Sequence, residues 1–431
     1  MIGREIHAFA ESIWGFNRSI TGNGVRETLN SIKSIIPELK IRSVPSGTLA
    51  FDWIVPKEWK VSKAYIITPE GKKICDFQKH NLHLVGYSVP FSGTISLTEL
   101  QDHLYSIPEQ PDAIPYITSY YKERWGFCIS HNDRLSLIDG NYHVVVDTEL
   151  FDGFMNYGEL VIPGKSPNEV FLSTYICHPS MANNELSGPC VLTFIARHLL
   201  TSAKSNYTYR IIFIPETIGS IVYLSKNLSK MKKRVFAGFN LTCIGDNRSY
   251  SYLPSKSGLT YSDRVAVHVL RFTDPNFVSY DWTDRGSDER QYCAPGVDLP
   301  VASLMRTKYG AYPEYHTSLD DLKKVVTPEG LQGGYLLVLK VLQAIEANAC
   351  YKSKILCEPN MGKRGLYPTI LQNKKGADVS RMMNVLSYCD GSFDLIEIAE
   401  ILKTPIWKLY DTINTLLEHE LIALNCNDKS K

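Results

Sequence analysis

The sequence has no long apolar run, no excess of one charge and no paired cysteine motif, and each absence argues against a class of protein. No apolar run approaches the roughly 18 residues that a membrane-spanning helix needs. Lys and Arg number 46 against 45 Asp and Glu, which argues against nucleic acid as the main partner. The ten cysteines include no Cys-x-x-Cys pair, and the N-terminal residues contain no apolar signal core. We therefore expect a cytoplasmic protein with reduced thiols and no membrane partner.

The length and composition predict a folded chain of two or three domains. The chain has 431 residues, of which 44% are hydrophobic and 21% charged, a balance typical of globular proteins. The residue pattern changes twice along the chain. It predicts an α/β/α domain of residues 1–37 and 166–348, a β-rich inserted domain of residues 38–165, and a small helical domain of residues 366–431.

Residues 166–348 alternate between short apolar runs and helical spacing, which predicts an α/β fold. The apolar runs extend from Val170 to Ile176, from Tyr209 to Pro215, from Val235 to Ile244 and from Leu299 to Met305. Such runs, separated by helices, are typical of a mainly parallel sheet that is covered on both faces. Sheets of this kind bind their ligands at the carboxyl ends of the strands, so we expect the functional site there.

The residues from about 366 onward predict three helices and a short final strand, which is the pattern of a winged-helix module. Ser392 is the expected N-cap of the second helix, and Thr404–Pro405 is expected to open the third. The third helix carries Lys408, Asp411 and Glu418 instead of a row of basic residues, so DNA binding is not expected. Packing, a protein partner or a second copy of the chain is the expected role of this module.

Polar side chains follow three of the predicted strands. His178 follows the first strand, Glu216 follows the second, and His316 lies past the fourth. Imidazole and carboxylate groups that converge from separate strand ends suit a zinc hydrolase, because they hold the ion and accept a proton from water. Each residue also has a simpler interpretation, since either histidine can be a core or capping residue and Glu216 can cap the helix near Gly219. Spacing alone leaves both interpretations open.

These clusters resemble the zinc aminopeptidase superfamily, which includes bacterial leucine aminopeptidases and glutaminyl cyclases. The resemblance is carried by four strings: Ala182–Gly188, Pro215–Ser220, Gly286–Glu289 and Tyr315–Asp320. From end to end, the chain is similar to a bacterial group of aminopeptidase-like proteins with a β-rich insert of unknown function and a C-terminal winged helix. Further strings support this: Asn17–Gly22, Pro45–Gly47, Phe51–Trp53, Asn81–His83, Trp125–Cys128 and Gly286–Tyr292. The resemblance implies a phosphorylase/hydrolase-like α/β/α fold and zinc-dependent exopeptidase chemistry.

The resemblance also implies a set of metal ligands. The first and last histidine ligands of the superfamily fall on His178 and His316. Its metal-bridging aspartate falls on Asn184, which cannot supply a bridging anion, and the neighbouring Glu185 is the substitute carboxylate. This departure favours one zinc ion over two, held by His178, Glu185 and His316 with water as the fourth ligand.

Two more positions depart from the superfamily pattern. The Glu-Glu pair of general base and ligand is reduced to Glu216, which is therefore the expected base. A further aspartate ligand falls on Thr242, and Asp246 is the nearest carboxylate. If Glu216 is itself a ligand, the alternative bases are Asp288 and Glu289.

Residues around the last histidine ligand are candidates for substrate binding. Arg306, Tyr309 and Tyr315 are expected to bind a substrate carboxylate or an oxyanion. Asp320 is expected to accept a hydrogen bond from that histidine and so orient its ring. For each of them the simpler alternative is a surface hydrogen bond. Cys177, beside the first histidine, is expected to be a buried thiol and not a nucleophile.

Two hypotheses for the function follow. The first is a cytoplasmic metallohydrolase that cleaves the terminal amide bond of a small peptide or aminoacyl conjugate, with the β-rich insert narrowing the pocket. The second is an altered peptidase fold that serves as a binding or assembly protein. The missing aspartates favour the second hypothesis, whereas both histidines and Glu216 favour the first.

Overall fold

The computed structural model describes residues 1–120, 122–366 and 373–425, with the side chains of residues 373–378 outside this description, so the predicted domain 366–431 is described in part. The strands are β1 Lys40–Pro45, β2 Leu49–Ala50, β3 Trp53–Ile54, β4 Glu58–Ile67, β5 Lys73–Ile74, β6 Phe91–Ser96, β7 Leu104–Tyr105, β8 Phe127–Cys128, β9 Asn141–Phe151, β10 Phe154–Ile162, β11 Glu169–Tyr175, β12 Thr208–Ile214, β13 Val235–Leu241, β14 Ser251–Leu253, β15 Val278–Ser279, β16 Val301–Met305, β17 Cys350–Ser353, β18 Asp390–Asp394 and β19 Ile422–Leu424. The α-helices are α1 Ile2–Ile13, α2 Asn23–Ile35, α3 Leu97–Gln101, α4 His131–Leu135, α5 Ser187–Thr201, α6 Ile218–Arg234, α7 Tyr261–Thr273, α8 Glu289–Tyr292, α9 Pro328–Ala347, α10 Asn373–Ser387, α11 Leu395–Ile401 and α12 Tyr410–Glu418. None of the described helices is both long enough and apolar enough to cross a membrane.

An eight-stranded sheet lies in the first of two compact units, which comprises Met1–Ser262 and Val278–Leu336. Its strand order is β1-β10-β12-β11-β13-β16-β14-β15. The strands β12, β11, β13 and β16 pair in parallel, and nearly every residue in them is buried. Their apolar runs therefore form the covered sheet that the sequence predicts, and the predicted α/β fold is confirmed.

The β-rich insert is joined to this sheet through its two end strands. β1 pairs antiparallel with β10, and β10 pairs antiparallel with β12, so both belong to the large sheet. The segment between them folds as a separate antiparallel sheet of order β5-β4-β9-β6. The chain enters and leaves this inserted segment at one point, where Ser46 N donates to Gly153 O over 2.9 Å. The range 38–165 thus supplies two strands to the α/β sheet besides the insert itself.

The second compact unit comprises Asp263–Phe277 and the described residues from Leu337 onward. It contains α10, α11 and α12 with a three-stranded antiparallel sheet of order β18-β17-β19, as expected for a winged helix. Arg264 on α7 forms ion pairs with Asp394 and Glu397. The sequence placed α7 in the α/β domain, whereas these ion pairs help to hold it to the helical unit.

The N-cap of α11 differs from the prediction. Ser392 lies within β18, and Asp394 is the cap, because its carboxylate accepts from Glu397 N at 2.9 Å. The Glu397 side chain in turn accepts from Asp394 N, which completes a capping box. The prediction of Ser392 was wrong because β18 continues two residues beyond it.

Candidate metal centre

His178 and His316 meet at the carboxyl ends of the parallel strands. Their ring centroids lie 5.7 Å apart, and two imidazoles bound to one zinc ion at about 2.1 Å place their centres roughly 5 to 6 Å apart. Burial lowers the pKa of both to about 3; the charge of Arg18 adds to the effect at His178, and His178 adds to it at His316. Both rings are therefore neutral near pH 7, the form that binds metal.

Glu216 lies on a strained turn directly after β12. Thr217 has φ 64° and ψ −78°, and Ile218 N donates to Glu216 O over 2.8 Å, which together define a γ-turn. The Asp288 carboxylate stabilises this turn by accepting hydrogen bonds from Thr217 N and from the hydroxyl of Ser220, both at 2.8 Å. A non-glycine residue held in this conformation is a feature that clusters at functional sites.

The Glu216 carboxylate faces His178. Glu216 Oε2 lies 3.9 Å from His178 Nε2, and the side chain is 20% exposed. Burial raises the pKa of Glu216 to about 8, and the adjacent Asp288 carboxylate adds to the effect. Burial also raises the pKa of Asp288, whose Oδ2 has no hydrogen-bond partner. Glu216 thus has the titration range of a proton acceptor or donor near neutral pH.

Glu185 lies on the other side of the His178 ring, in the π-helical turn Ala182–Leu186. Its Oε2 accepts from His178 N at 2.9 Å and lies 3.2 Å from His178 Nδ1. The predicted ligand set of His178, Glu185 and His316 is therefore not formed, because Glu185 contacts the nitrogen that faces away from Glu216. A carboxylate in this position orients the imidazole and fixes its tautomer.

Cys177, His178 and Glu185 form a group of metal-type donor atoms within 4.8 Å of one another. Arg18 lies against this group, with its Nε 3.3 Å from Glu185 Oε1 and 3.0 Å from His178 O. Burial raises the pKa of Glu185 and lowers that of Arg18, and their attraction opposes both shifts. The pKa of the Cys177 thiol is also raised by burial, as expected for an inert thiol. A guanidinium beside a neutral thiol disfavours a cation on this side of His178.

The residues at which the resemblance predicted further metal ligands are neutral hydrogen-bonding groups. The Tyr175 hydroxyl lies 2.9 Å from Asn184 Oδ1 and 2.6 Å from the hydroxyl of Thr242. Asp246, the alternative carboxylate, accepts from the backbone N–H and the hydroxyl of Thr307 and from Asn183 Nδ2. Asn184 and Asp246 are thus held in buried networks and do not form a second ion site.

Two further carboxylates have structural roles that differ from the prediction. Asp320 accepts from the backbone N–H groups of Asn183 and Asn184, so the expected hydrogen bond from His316 is not formed. Glu289 is fully buried and accepts from Tyr309, Ser303, Asn240, Gly286 and Ser287. With both oxygens occupied in this way, it is not available as the alternative base.

The three residues expected to bind substrate lie outside the pocket that contains the histidines. The Arg306 guanidinium donates to Ser249 O at 2.6 Å, and the Tyr309 hydroxyl donates to Glu289 Oε1 at 2.8 Å. Tyr315 stacks on His316, with ring centroids 3.9 Å apart, and so holds that ring in place. Arg306, Tyr309 and Tyr315 thus have partners within the protein and do not line this pocket.

The pocket has a volume of about 180 Å³, and the β-rich insert supplies one of its walls. Tyr116 from the insert packs on both histidines, with ring centroids 5.2 Å from each. The segment around it is fixed to the loop of His316, because Tyr116 N donates to His316 O at 2.8 Å. Lining residues that the sequence did not identify as site residues include Asn17, Arg18, Ser19, Trp59, Asn81, Tyr87, Tyr116, Thr118, Tyr120 and Arg290.

The residues in the pocket fit a zinc ion. The described donors that face the same space are the imidazoles of His178 and His316 and the carboxylate of Glu216, a nitrogen and oxygen set typical of catalytic zinc. Glu185 supports His178 from behind, as carboxylates often support zinc-bound histidines. A second ion lacks charged ligands, since Asn184 and Thr242 are neutral.

Comparison with known proteins agrees with this architecture. The family described as "Domain of unknown function (DUF4910)" matches residues 7–348. The chain belongs to this family. A winged helix-turn-helix family matches residues 349–424, which confirms the C-terminal module.

The relatives extend the comparison to whole chains. A Clostridium acetobutylicum protein is 44% identical over 399 residues, covering 92% of this chain and 91% of its own; it is provisionally named a polysaccharide biosynthesis protein with an aminopeptidase-like domain. A crystal structure from the same organism, provisionally assigned as a peptidase, is 42% identical with a TM-score of 0.93, over 98% of this chain and 97% of its own. A zinc aminopeptidase from Bacillus subtilis is 14% identical with a TM-score of 0.57, over 80% of this chain and 94% of its own. The chain therefore has an aminopeptidase-like fold.

Proposed function

We propose that the protein is a zinc-dependent hydrolase that cleaves the terminal amide bond of a small peptide or aminoacyl conjugate. The observation that carries the proposal is the convergence of His178, His316 and Glu216 on one pocket at the carboxyl ends of the parallel strands. His178 and His316 would hold one ion, and Glu216 would lie beside it as the proton acceptor. When bound, zinc polarises a carbonyl group and makes water more acidic.

The chain's own residues supply the proton transfer and the positioning. Glu216, 3.9 Å from His178 Nε2, accepts the proton of the attacking water and returns it to the leaving amine. Asp288 holds the turn that carries Glu216 and keeps its pKa high. Glu185 and Tyr116 keep the two imidazoles in their orientations. The insert lines one side of a pocket of about 180 Å³, a volume that suits chain ends or small conjugates.

A binding or assembly protein built on the same fold is the second candidate. It is favoured by the loss of charged ligands at Asn184 and Thr242 and by the neutral network that Tyr175 forms with them. The winged helix would then serve as a surface for a protein partner or a second copy of the chain. In this case the histidine pair would be a structural remnant without an ion.

Metal content separates the two candidates. The full chain, purified and supplied with zinc, is expected to retain one ion after dialysis, and His178→Ala is expected to release it. His198→Ala is the matched control, because this histidine lies near the end of α5 and outside the pocket. The absence of stoichiometric zinc, or its retention by His178→Ala, would favour the binding protein.

A further inference from the structure

The charges that line the pocket are unequal. Among the described residues that line it, Glu216 carries the one carboxylate, whereas Arg18 and Arg290 carry guanidinium groups. A free α-ammonium group is held in proteins by carboxylate and carbonyl oxygens, and Glu216 is already the proton acceptor of the proposed reaction. Arg18 is paired with Glu185 behind the pocket, with 3.3 Å between Nε and Oε1, so Arg290 supplies the cation beside that site that repels an ammonium group and attracts an anion.

Two buried polar atoms of the lining have no hydrogen-bond partner. The Arg18 side chain is 0% exposed; its Nε donates to His178 O and its Nη1 to Ile13 O, but its Nη2 donates to no group. Asn81, from the insert, is 9% exposed, and its Oδ1 accepts no hydrogen bond. Unmet buried donors and acceptors are rare and costly, and a ligand with an acceptor oxygen and an N–H group would satisfy both.

Arg290 adds a second donor at the same pocket. It lies on α8, where its Nη2 donates to the Thr217 hydroxyl at 2.6 Å, beside Glu216 on the γ-turn. The guanidinium has five N–H donors in a planar fork, so one hydrogen bond leaves others for a carboxylate. Its exposed position at the pocket allows it to be replaced without opening the core.

We propose, on the basis of the hydrolase function above, that the substrate is a small N-acylated amino acid, with a carboxylate and no free amine. The guanidinium groups of Arg290 and Arg18 bind its carboxylate, and Asn81 Oδ1 accepts from its amide N–H. Hydrolysis breaks the C–N bond of the acyl amide. The hydroxyl of water goes to the acyl carbon and its hydrogen to the nitrogen, which releases a carboxylic acid and a free amino acid.

A binding experiment with three small probes tests this substrate class. N-acetylglycine carries the carboxylate, glycinamide carries the ammonium group, and N-acetylglycinamide carries neither. All three are small enough for a pocket of about 180 Å³, so size does not decide the result. Binding to the full chain is measured by calorimetry, both as purified and after removal of metal with a chelator, so that an ion cannot explain a preference for carboxylate.

We expect N-acetylglycine to bind at least about tenfold more tightly than either of the other probes in both preparations. Arg290→Gln should reduce this preference severalfold, whereas Arg285→Gln, an exposed arginine outside the pocket, should leave it unchanged. Equal or tighter binding of glycinamide, no binding of N-acetylglycine, or an unchanged preference in Arg290→Gln would overturn the proposal. Zinc content and hydrolysis are measured separately, so a failure here differs from a failure of the hydrolase function.

Discussion

The two sides of the loops at the carboxyl ends of the parallel strands carry different kinds of side chain. On the pocket side, His178 and His316 keep ligand-type nitrogens next to Glu216. On the other side, Asn184, Thr242 and Tyr175 form a neutral hydrogen-bonded network. The first arrangement favours a cation and the second does not, because amide and hydroxyl groups compensate little of an ion's charge in a buried site. We therefore expect a one-ion site.

Among the substitutions that test this comparison, Glu216→Gln is expected to have the largest effect, a loss of hydrolysis. The substitution removes the proton acceptor but keeps an oxygen donor, so we expect hydrolysis to fall about a thousandfold or more while zinc is retained. Activity on aminoacyl and N-acylated substrates, with zinc content measured in parallel, checks this. Glu5→Gln, on the exposed face of α1, is the control. Hydrolysis at the normal rate in Glu216→Gln would show that another group is the base.

A smaller effect is expected from Glu185→Gln, which changes the support of His178 and not the pocket itself. Loss of the carboxylate weakens the orientation of the ring, so zinc affinity should fall about 10- to 100-fold. Competition with a chelator measures this, and Glu314→Gln, which alters a surface ion pair, is the control. If Glu185 were a direct ligand, as the sequence predicted, zinc would be lost almost entirely.

Tyr116→Ala tests the wall that the insert contributes. Removing the ring takes away its contacts with His178 and His316, and we expect zinc affinity to fall about tenfold. Tyr116→Phe keeps the ring and is expected to behave like the unchanged protein. Equal loss in both variants would assign the effect to the hydroxyl, and no loss in either would mean that the insert does not position the histidines.

The smallest expected effect is on stability as a function of pH in the metal-free protein. The pKa of Glu216 is raised in the folded state, from 4.5 to about 8, so its protonated form favours folding below about pH 5 and this stability is lost as the pH rises through 8. Relative to the unchanged chain, Glu216→Gln should therefore gain free energy of unfolding steadily as the pH rises from about 5 to 8. Urea unfolding at several pH values measures this difference. If the difference in free energy of unfolding did not change with pH, the pKa of Glu216 in the folded protein would not be raised.

The sequence predicted the parts of the molecule that depend on local pattern. Apolar runs identified the four parallel strands, and the positions of His178, Glu216 and His316 after strands brought them to one edge. Those residues could be identified because parallel strands end at the same edge of the sheet, so the residues that follow them lie close together. The same reasoning found the winged helix but missed the cap of α11, since no local signal shows where β18 ends.

The remainder of the site depends on side-chain direction and on distant partners. Glu185 follows Asn184 in the chain, but the π-helical turn directs its carboxylate to the backbone of His178. Arg18 lies 160 residues before His178 and compensates the charge of Glu185. Spacing along the chain gives no sign of that contact. Tyr116 reaches the histidines from the insert, which was expected to narrow the pocket, but no local pattern identified Tyr116 as a site residue. Arg18 belongs to the string Asn17–Gly22, which supports the resemblance, and this was the one sign in the sequence that Arg18 belongs to the site.

The most direct test of the one-ion site is anomalous scattering at the zinc edge from crystals of the full chain. We predict a single peak between His178 Nε2 and the His316 ring, beside Glu216, and no peak near Asn184 or Thr242. Two peaks, or a single peak among Cys177, His178 Nδ1 and Glu185, would contradict the account.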